Sequence, residues 1–511
     1  MAEPLRCVPP DSLIVGWDFS TGSVKAIAFD LEGRSIAETR LPTDLWTEGG
    51  VAELSLLQLE GQARSSTRSL AGQLAQQGRL KDWVACGISA THHSAGRIDR
   101  CATPVRRLIC WNDQTLGAYH AEGLARLGGQ ERARELTGGP WAVRYSLSHL
   151  VKDAATLSEA DWARTHRIVQ HGTAAAGYLT GNFDRISASA AASTGMLDLR
   201  TNRWRPEMLE ALGSPWHRGQ ALRSFPDLIG MDDPIGPLSE SVAYDAGLPA
   251  EVRPLVFPTL DDQAAGLVGG GATDPGHVAV ILGNSAVVNS SADAPPQSGT
   301  LDAMKLNWGP YLWMRCYSNG AQFLDRIVGP KPDWPALEAA AGKVAPGCGG
   351  VGVLPFVLSE PSIGVQVPRF EWYPSEPTEP GTRLRASFEA IAYLIALGVR
   401  EHEAAGQRVT RITVSGGIAK SDLMLEILAS VLGQPLERLV TGEGPALGVA
   451  VAALAGLEQY RRKQQSISEP FTIADAVGHL VKFRDPVQPR AEWRQPYRAG
   501  LASFSERLAR S

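Results

Sequence analysis

Two stretches in opposite halves of the chain follow one plan, and few folds accommodate it. Residues 13–30 read LIVGWDFSTGSVKAIAFD and residues 277–291 read HVAVILGNSAVVNSS. Each begins as an apolar run with the length of a buried strand, breaks at a few small polar residues, and resumes as a second apolar run. The breaks are Ser20, Thr21, Gly22 and Ser23 in the first stretch and Gly283, Asn284 and Ser285 in the second. Small side chains let backbone N–H groups and hydroxyls converge on an anion, so either break is a candidate phosphate turn. Taken singly, each is equally an ordinary polar hairpin. Two at matching places in two halves are what clamping a polyphosphate from both sides of a cleft requires.

The surrounding sequence extends the duplication. After the first stretch, LEGRSIAETRLP adds a third strand to a meander, LSLLQLEGQARSSTRSLAGQLAQQG has helical periodicity, and DWVACGISAT reads as a further strand. The second half supplies VTRITVSGGIAKSDLMLEILASVLG, a strand, a glycine turn and a helix. The chain has 511 residues, more than one hydrophobic core usually serves. The proline-bearing AGLPAEVRPLVFPTLDDQ near residue 250 marks a hinge, which divides the chain into domains 1–255 and 256–511. The expected fold is α/β, duplicated around a central cleft, and no short-period repeat points to a solenoid.

Composition narrows the partners. A net charge of −5 without any lysine- or arginine-rich block lacks the footprint of a nucleic-acid binder, while a small phosphate-bearing molecule stays compatible. The six cysteines show no CxxC spacing, so neither a zinc site nor a disulfide framework is expected, and a reducing cytosol suits them. The first residues, MAEPLRCVPPDSLIVGWDF, lack a leader pattern, and no apolar run approaches a membrane span. A cytoplasmic protein without a membrane partner is the expectation, with room for a homodimer.

Three further motifs carry chemistry. LDDQAAGLVGGG places Asp261 and Asp262 before a short helix, where a carboxylate serves as a cap, a turn residue or an acid–base group. Asp18 precedes the first candidate phosphate turn. A carboxylate there would repel phosphate unless a cation stood between them, so holding Mg²⁺ is its sensible role. Gly416 and Gly417, followed by Lys420 and Ser421, let a flat or anionic ligand approach the backbone between a strand and a helix, although such turns are common in α/β proteins. Gly448, among small residues in EGPALGVAVAALAGL, suits a helix packed closely on a neighbour or on a nucleotide base. His92 and His93 are adjacent, and in an extended segment they would point to opposite faces and not share one ion.

The ordered set DFSTGSVKAIAFD, GISATHHSAGRID, CWNDQT, LDDQAAGLVGGG, LGNSAVV, SNGAQFLD, SGGIAKS and EGPALGVAVAA, spanning about residues 13–457, resembles the FGGY family of carbohydrate kinases, its pentulose kinases such as xylulokinase most of all. The resemblance implies two actin-like (ribonuclease H-like) ATPase domains flanking a central cleft, ATP and Mg²⁺, and a sugar acceptor. The implied reaction phosphorylates a primary hydroxyl of a ketopentose, D-xylulose first. D-ribulose, another ketose or polyol, and a linear pentose-type signalling molecule are alternatives, and a nucleotide-binding actin-like protein without kinase activity is the rival of a different class. By position, Asp262 takes the catalytic role and shares the metal with Asp18, leaving Asp261 as cap. His92, His93, Trp111, Asp113, Asp262 and Gln263 fall on the sugar side, with Asp113 open between sugar hydroxyls and a helix cap. Ser20, Thr21, Gly22, Ser23, Gly283, Asn284, Ser285, Gly416, Gly417, Lys420 and Ser421 fall on the ATP side. The chain departs from the family at Thr115, where arginine is usual, at LSEPSIG (358–364), at Glu426 and Ser430, and at Asn284.

Overall fold

A computed structural model describes residues 6–297, 299–440 and 442–510. The two stretches that opened the sequence form the centres of two sheets. In the first sheet the strands run Ser35–Pro42, Ser23–Phe29, Leu13–Phe19, Trp83–Ala90, Leu255–Val256, Gly236–Pro237. In the second, Tyr311–Tyr317, Ala286–Ala292, His277–Leu282, Arg411–Ser415 and Glu437–Arg438 repeat the first five places, with Asp302–Lys305 added outside Tyr311–Tyr317. Pairing repeats as well. Leu13–Phe19 is antiparallel to Ser23–Phe29 and parallel to Trp83–Ala90, and His277–Leu282 is antiparallel to Ala286–Ala292 and parallel to Arg411–Ser415.

These central strands are nearly continuous apolar runs because both of their faces are covered. Leu13, Val15, Trp17 and Phe19 pack beneath the helix Leu56–Gln76, and the buried Trp17 indole N–H donates to Ser66 on that helix at 3.1 Å. The β-β-β-α-β order expected for the first half holds within this sheet, while two strands the sequence reading did not anticipate, Trp46–Glu48 and Val51–Leu54, precede the helix and join a separate sheet. Its sheet includes Leu255–Val256, which straddles the 255/256 divide, and Leu260–Asp261 beyond it, both paired with Trp83–Ala90.

The other face of the first sheet is covered by a helix from the second half. Gly444–Gln464 lies so close that a Cβ at Gly16 would sit 2.0 Å from the Ala446 carbonyl oxygen. The same helix crosses Asp262–Gly269 in backbone contact, and a Cβ at Gly448 would lie 1.9 Å from the Ala265 oxygen. Of the two expectations for Gly448, close packing on a neighbouring helix is the one observed. This seam of small residues joins the halves directly behind the paired aspartates. A five-stranded sheet, running from Trp46–Glu48 to Arg167–Gln170, and the helices Leu116–Leu127 and Ser146–Thr156 elaborate the first half. Among the described residues no helix is long and apolar enough to cross a membrane, and all six cysteines are free thiols.

Candidate active site

Asp261 and Asp262 have different surroundings. Asp261 ends a strand that pairs with the Trp83–Ala90 strand, and it caps the helix Asp262–Gly269: its Oδ1 accepts from the N–H groups of Gln263 at 3.0 Å and Ala264 at 2.9 Å. Its Oδ2 accepts from the Ser189 hydroxyl at 2.5 Å. Asp262 is the first residue of the helix, half-buried, and its Oδ1 has no hydrogen-bond partner. Burial, reinforced by the charges of Asp261 and Asp18, pushes its carboxyl up to about 8, against the pull of the His92 and Gln263 backbone amides.

Asp18 stands at the end of the central strand. It accepts from the Ser89 hydroxyl at 3.0 Å, and burial, helped by Glu443, raises its carboxyl to about 6 although Ser89 and Lys25 draw it down. Lys25 is itself bound to Glu443 at 2.5 Å. Asp18 adds to the rise at Asp262, and the two carboxylates together offer a hard, oxygen-only donor set. A divalent cation of the Mg²⁺ kind fits that set.

Both candidate phosphate turns are tight. Ser20 closes the first, its hydroxyl donating to the Ser23 carbonyl at 2.8 Å and accepting from the Ser23 N–H at 3.1 Å. At the exposed Gly22 an added Cβ would meet nothing within 4 Å, so room for a ligand lies directly over the turn. The second turn is built from three distant segments. Gly320 and Ala321 donate their N–H groups to the carbonyls of Asn284 at 3.0 Å and Gly283 at 2.8 Å. Gly416 has φ +101°, and a Cβ there would lie 2.3 Å from the Leu282 oxygen, so only glycine permits this approach. Next to it, Gly417 faces open space, Lys420 is exposed, and Ser421 caps the helix Asp422–Leu432 by accepting from the Met424 N–H at 3.2 Å.

Glu360, in the segment read from sequence only as a departure, is buried and braces this region. Its carboxylate accepts from the Ser318 N–H at 2.6 Å and the Asn319 amide at 3.2 Å, while the Asn319 oxygen accepts from the Leu358 N–H at 2.9 Å. Only its carboxylate among apolar and small neighbours hinted at this.

The histidine pair corrects the sequence reading. His93 adopts φ 58°, a left-handed turn in place of an extended strand. The two rings therefore share one side and stack at 3.7 Å between centroids with planes 8° apart, and Tyr145 stacks on His93 at 4.3 Å. His93 Nδ1 lies 2.9 Å from the Ser193 carbonyl, whereas both His92 nitrogens and His93 Nε2 are buried without partners. Burial lowers the pKa of both rings, with Arg144 adding to the effect. Arg144 is paired with Asp302, which also accepts from Tyr145 at 3.2 Å. Sequence reasoning missed all three, because no local pattern brings Asp302 to the first half.

The remaining sugar-side expectations divide. Gln263 lies beside Asp262, and its Oε1 accepts from Asn289 at 3.1 Å. Trp111 is 41 % exposed. Asp113 is buried and engaged locally, accepting from the Thr115 N–H at 2.8 Å and the Thr115 hydroxyl, with Lys152 3.4 Å away. Thr115, where arginine was the usual residue, is thus the side chain that occupies Asp113.

Comparison with known proteins agrees with this geometry. The chain is 27% identical over 462 residues to the xylulose kinase of Escherichia coli strain K12, covering 86% of this chain and 89% of that protein. It is 26% identical over 542 residues to an autoinducer-2 kinase of Yersinia enterocolitica, covering 96% and 93%. A crystal structure of a xyloylose kinase from Brucella ovis superposes with a TM-score of 0.82 at 23% identity, over 97% of this chain and 98% of that one, and shows the fold. Models of the N-terminal and C-terminal domains of one family match residues 13–269 and 338–457. With its duplicated actin-like halves facing a carboxylate-bearing cleft, the chain belongs to the FGGY family of carbohydrate kinases, the ATP-dependent sugar kinases.

Proposed function

We propose that the protein transfers the γ-phosphoryl group of ATP to a primary hydroxyl of a ketopentose, D-xylulose first among them. The observation that carries this reading is Asp262: a partly buried carboxyl with one oxygen unpartnered, held at a helix start beside the Asp18 turn. In the proposed step the acceptor oxygen attacks the γ-phosphorus, its proton passes to the Asp262 carboxylate, and ADP leaves. A carboxyl held near neutrality is suited to taking that proton and releasing it again. Asp18 and Asp262 would hold Mg²⁺, which when bound offsets negative charge on the phosphates. The turns at Ser20–Ser23 and Gly283–Ser285 grip the phosphate chain, with Gly416 and Gly417 close behind the second. His93 and Gln263 offer hydrogen-bonding groups to the sugar, and closure of the halves excludes water.

A second reading, phosphorylation of autoinducer-2, is favoured by the longer match to the autoinducer-2 kinase, 96% of the chain against 86% for the xylulose kinase. ADP release measured against D-xylulose, D-ribulose, other ketoses, polyols and linear pentose derivatives separates the two. Preferred turnover of D-xylulose, with phosphate on its terminal carbon, is the expected result. Preference for the linear derivative would replace the first reading with the second, and silence across the whole panel would contradict both.

A further inference from the structure

His92 lies beside the paired aspartates. It is 5% exposed, yet neither ring nitrogen has a hydrogen-bond partner. A buried polar atom left unpaired costs about 1–3 kcal/mol, a cost that a ligand at this site would relieve. Its Nδ1 lies 3.7 Å from Asp261 Oδ1, beyond hydrogen-bond range. Asp262, whose Oδ1 is also unpartnered, completes a group in which one ligand atom each from His92, Asp261 and Asp262 lie within 4.8 Å of one another. His93 and Tyr145 stack behind the His92 ring and fix its plane. Ser189 and the helix amides fix Asp261 in the same way. These are the outer-shell supports that orient metal ligands.

We propose that His92, Asp261 and Asp262 form a binding site for a divalent transition-metal ion of the Zn²⁺ type, and that occupancy of this site inhibits the kinase. One imidazole with two carboxylates is a nitrogen–oxygen donor set that Mg²⁺ uses poorly and Zn²⁺ or Co²⁺ uses well. Three protein ligands leave a coordination position for water, as in open zinc sites. Inhibition rests on the reading of Asp262 as base and Mg²⁺ ligand: an ion drawn onto His92 and Asp261 as well as Asp262 takes the place of the Mg²⁺ that Asp18 and Asp262 would share, and ties up the base. Binding does not rest on that reading.

Co²⁺ added to the full chain without ATP or sugar tests the binding. One equivalent should bind with visible absorption bands of nitrogen–oxygen coordination, and Zn²⁺ should displace it at far lower concentration than Mg²⁺. In His92→Met and in His92→Gln, each checked for an unchanged circular-dichroism melt, affinity should fall at least about tenfold, the scale on which even outer-shell changes act. No stoichiometric binding, or affinity in both variants equal to the parent's, overturns the site. So does loss that instead follows His166→Gln, the half-buried histidine 3.6 Å from Asp184. Zn²⁺ that binds in this manner should also slow sugar-dependent ADP release, with an inhibition constant matching its dissociation constant. Unimpaired turnover at saturating Zn²⁺ overturns the inhibitory role. Because the binding titration needs no turnover, failure of the kinase reading and failure of the metal site are told apart.

Discussion

Replacing Gly448 by alanine should damage stability and catalysis together. The new Cβ would lie 1.9 Å from the Ala265 carbonyl oxygen and 2.8 Å from the Gly269 nitrogen, both backbone atoms. A carbon–oxygen contact settles at about 3.3–3.6 Å, so the helices Asp262–Gly269 and Gly444–Gln464 must part by more than about 1 Å. No side chain can rotate away to relieve the clash. Overpacking of this kind costs about 1–3 kcal/mol, and rigid backbone on both sides places Gly448→Ala at the upper end. At about 3 kcal/mol the melting midpoint falls by about 3 °C if the whole chain melts together, and by about 6 °C if one half melts alone. The displaced helix also carries Asp262, and a shift of about 1 Å in a reacting group is worth about 100-fold in rate. Thermal melts and ADP release on the same preparation measure both effects. Gly61→Ala serves as the control: Gly61 lies on Leu56–Gln76, an added Cβ there meets nothing within 4 Å, and a gain of about 0.5–1 kcal/mol is expected. A Gly448→Ala protein that melts with the parent and keeps its kcat would refute the backbone contact between the two helices.

Other substitutions separate the parts of the site. Asp262→Asn should gain stability relative to the parent as pH rises: the folded carboxyl keeps its proton to about 8 against an ordinary 3.8, so the parent loses stability across that interval and levels off above it. In chelator the melting difference between the two proteins should widen from about pH 5 to about pH 8, and a difference independent of pH would count against the buried carboxyl. Gly22→Val should leave the melt nearly unchanged, since a Cβ there meets no atom within 4 Å, and should raise KM for ATP severalfold; an unaltered KM would move the phosphates elsewhere. Glu360→Gln keeps the shape but weakens the acceptor for Ser318 and Asn319, costing about 1–3 kcal/mol in melts and raising KM for ATP more than KM for sugar.

Features of the fold that depend on neighbours in sequence were legible, and those made by distant segments were not. The strand, turn and strand at 13–29 and 277–292 could be read directly, because apolar runs and small turn residues are local signals. Which of Asp261 and Asp262 caps the helix was open on local residues, since either carboxylate can cap, and only position in the family resemblance pointed to Asp261, the cap observed. The histidine pair was misread because alternation holds only in extended chain, and no glycine in THHS warns that His93 turns left-handed. Gly283, Gly320 and Gly416 meet in space but stand more than thirty residues apart in sequence, and neither spacing nor composition brings them together. Glu360 was hidden for the same reason: its value lies in Ser318 and Asn319, which reach it only in the folded chain.

Asp262 as the base that accepts the acceptor's proton is tested most directly by single-turnover formation of sugar phosphate from Mg²⁺, ATP and D-xylulose, or from whichever sugar of the panel is turned over, in the parent and in Asp262→Asn, with ATP affinity measured alongside. Removing a general base lowers the rate by about 100- to 10,000-fold, and ATP affinity should stay within about threefold because the turns that hold the phosphates are intact. A variant that makes sugar phosphate within about tenfold of the parent, or one whose loss is fully explained by lost ATP binding, would contradict that role.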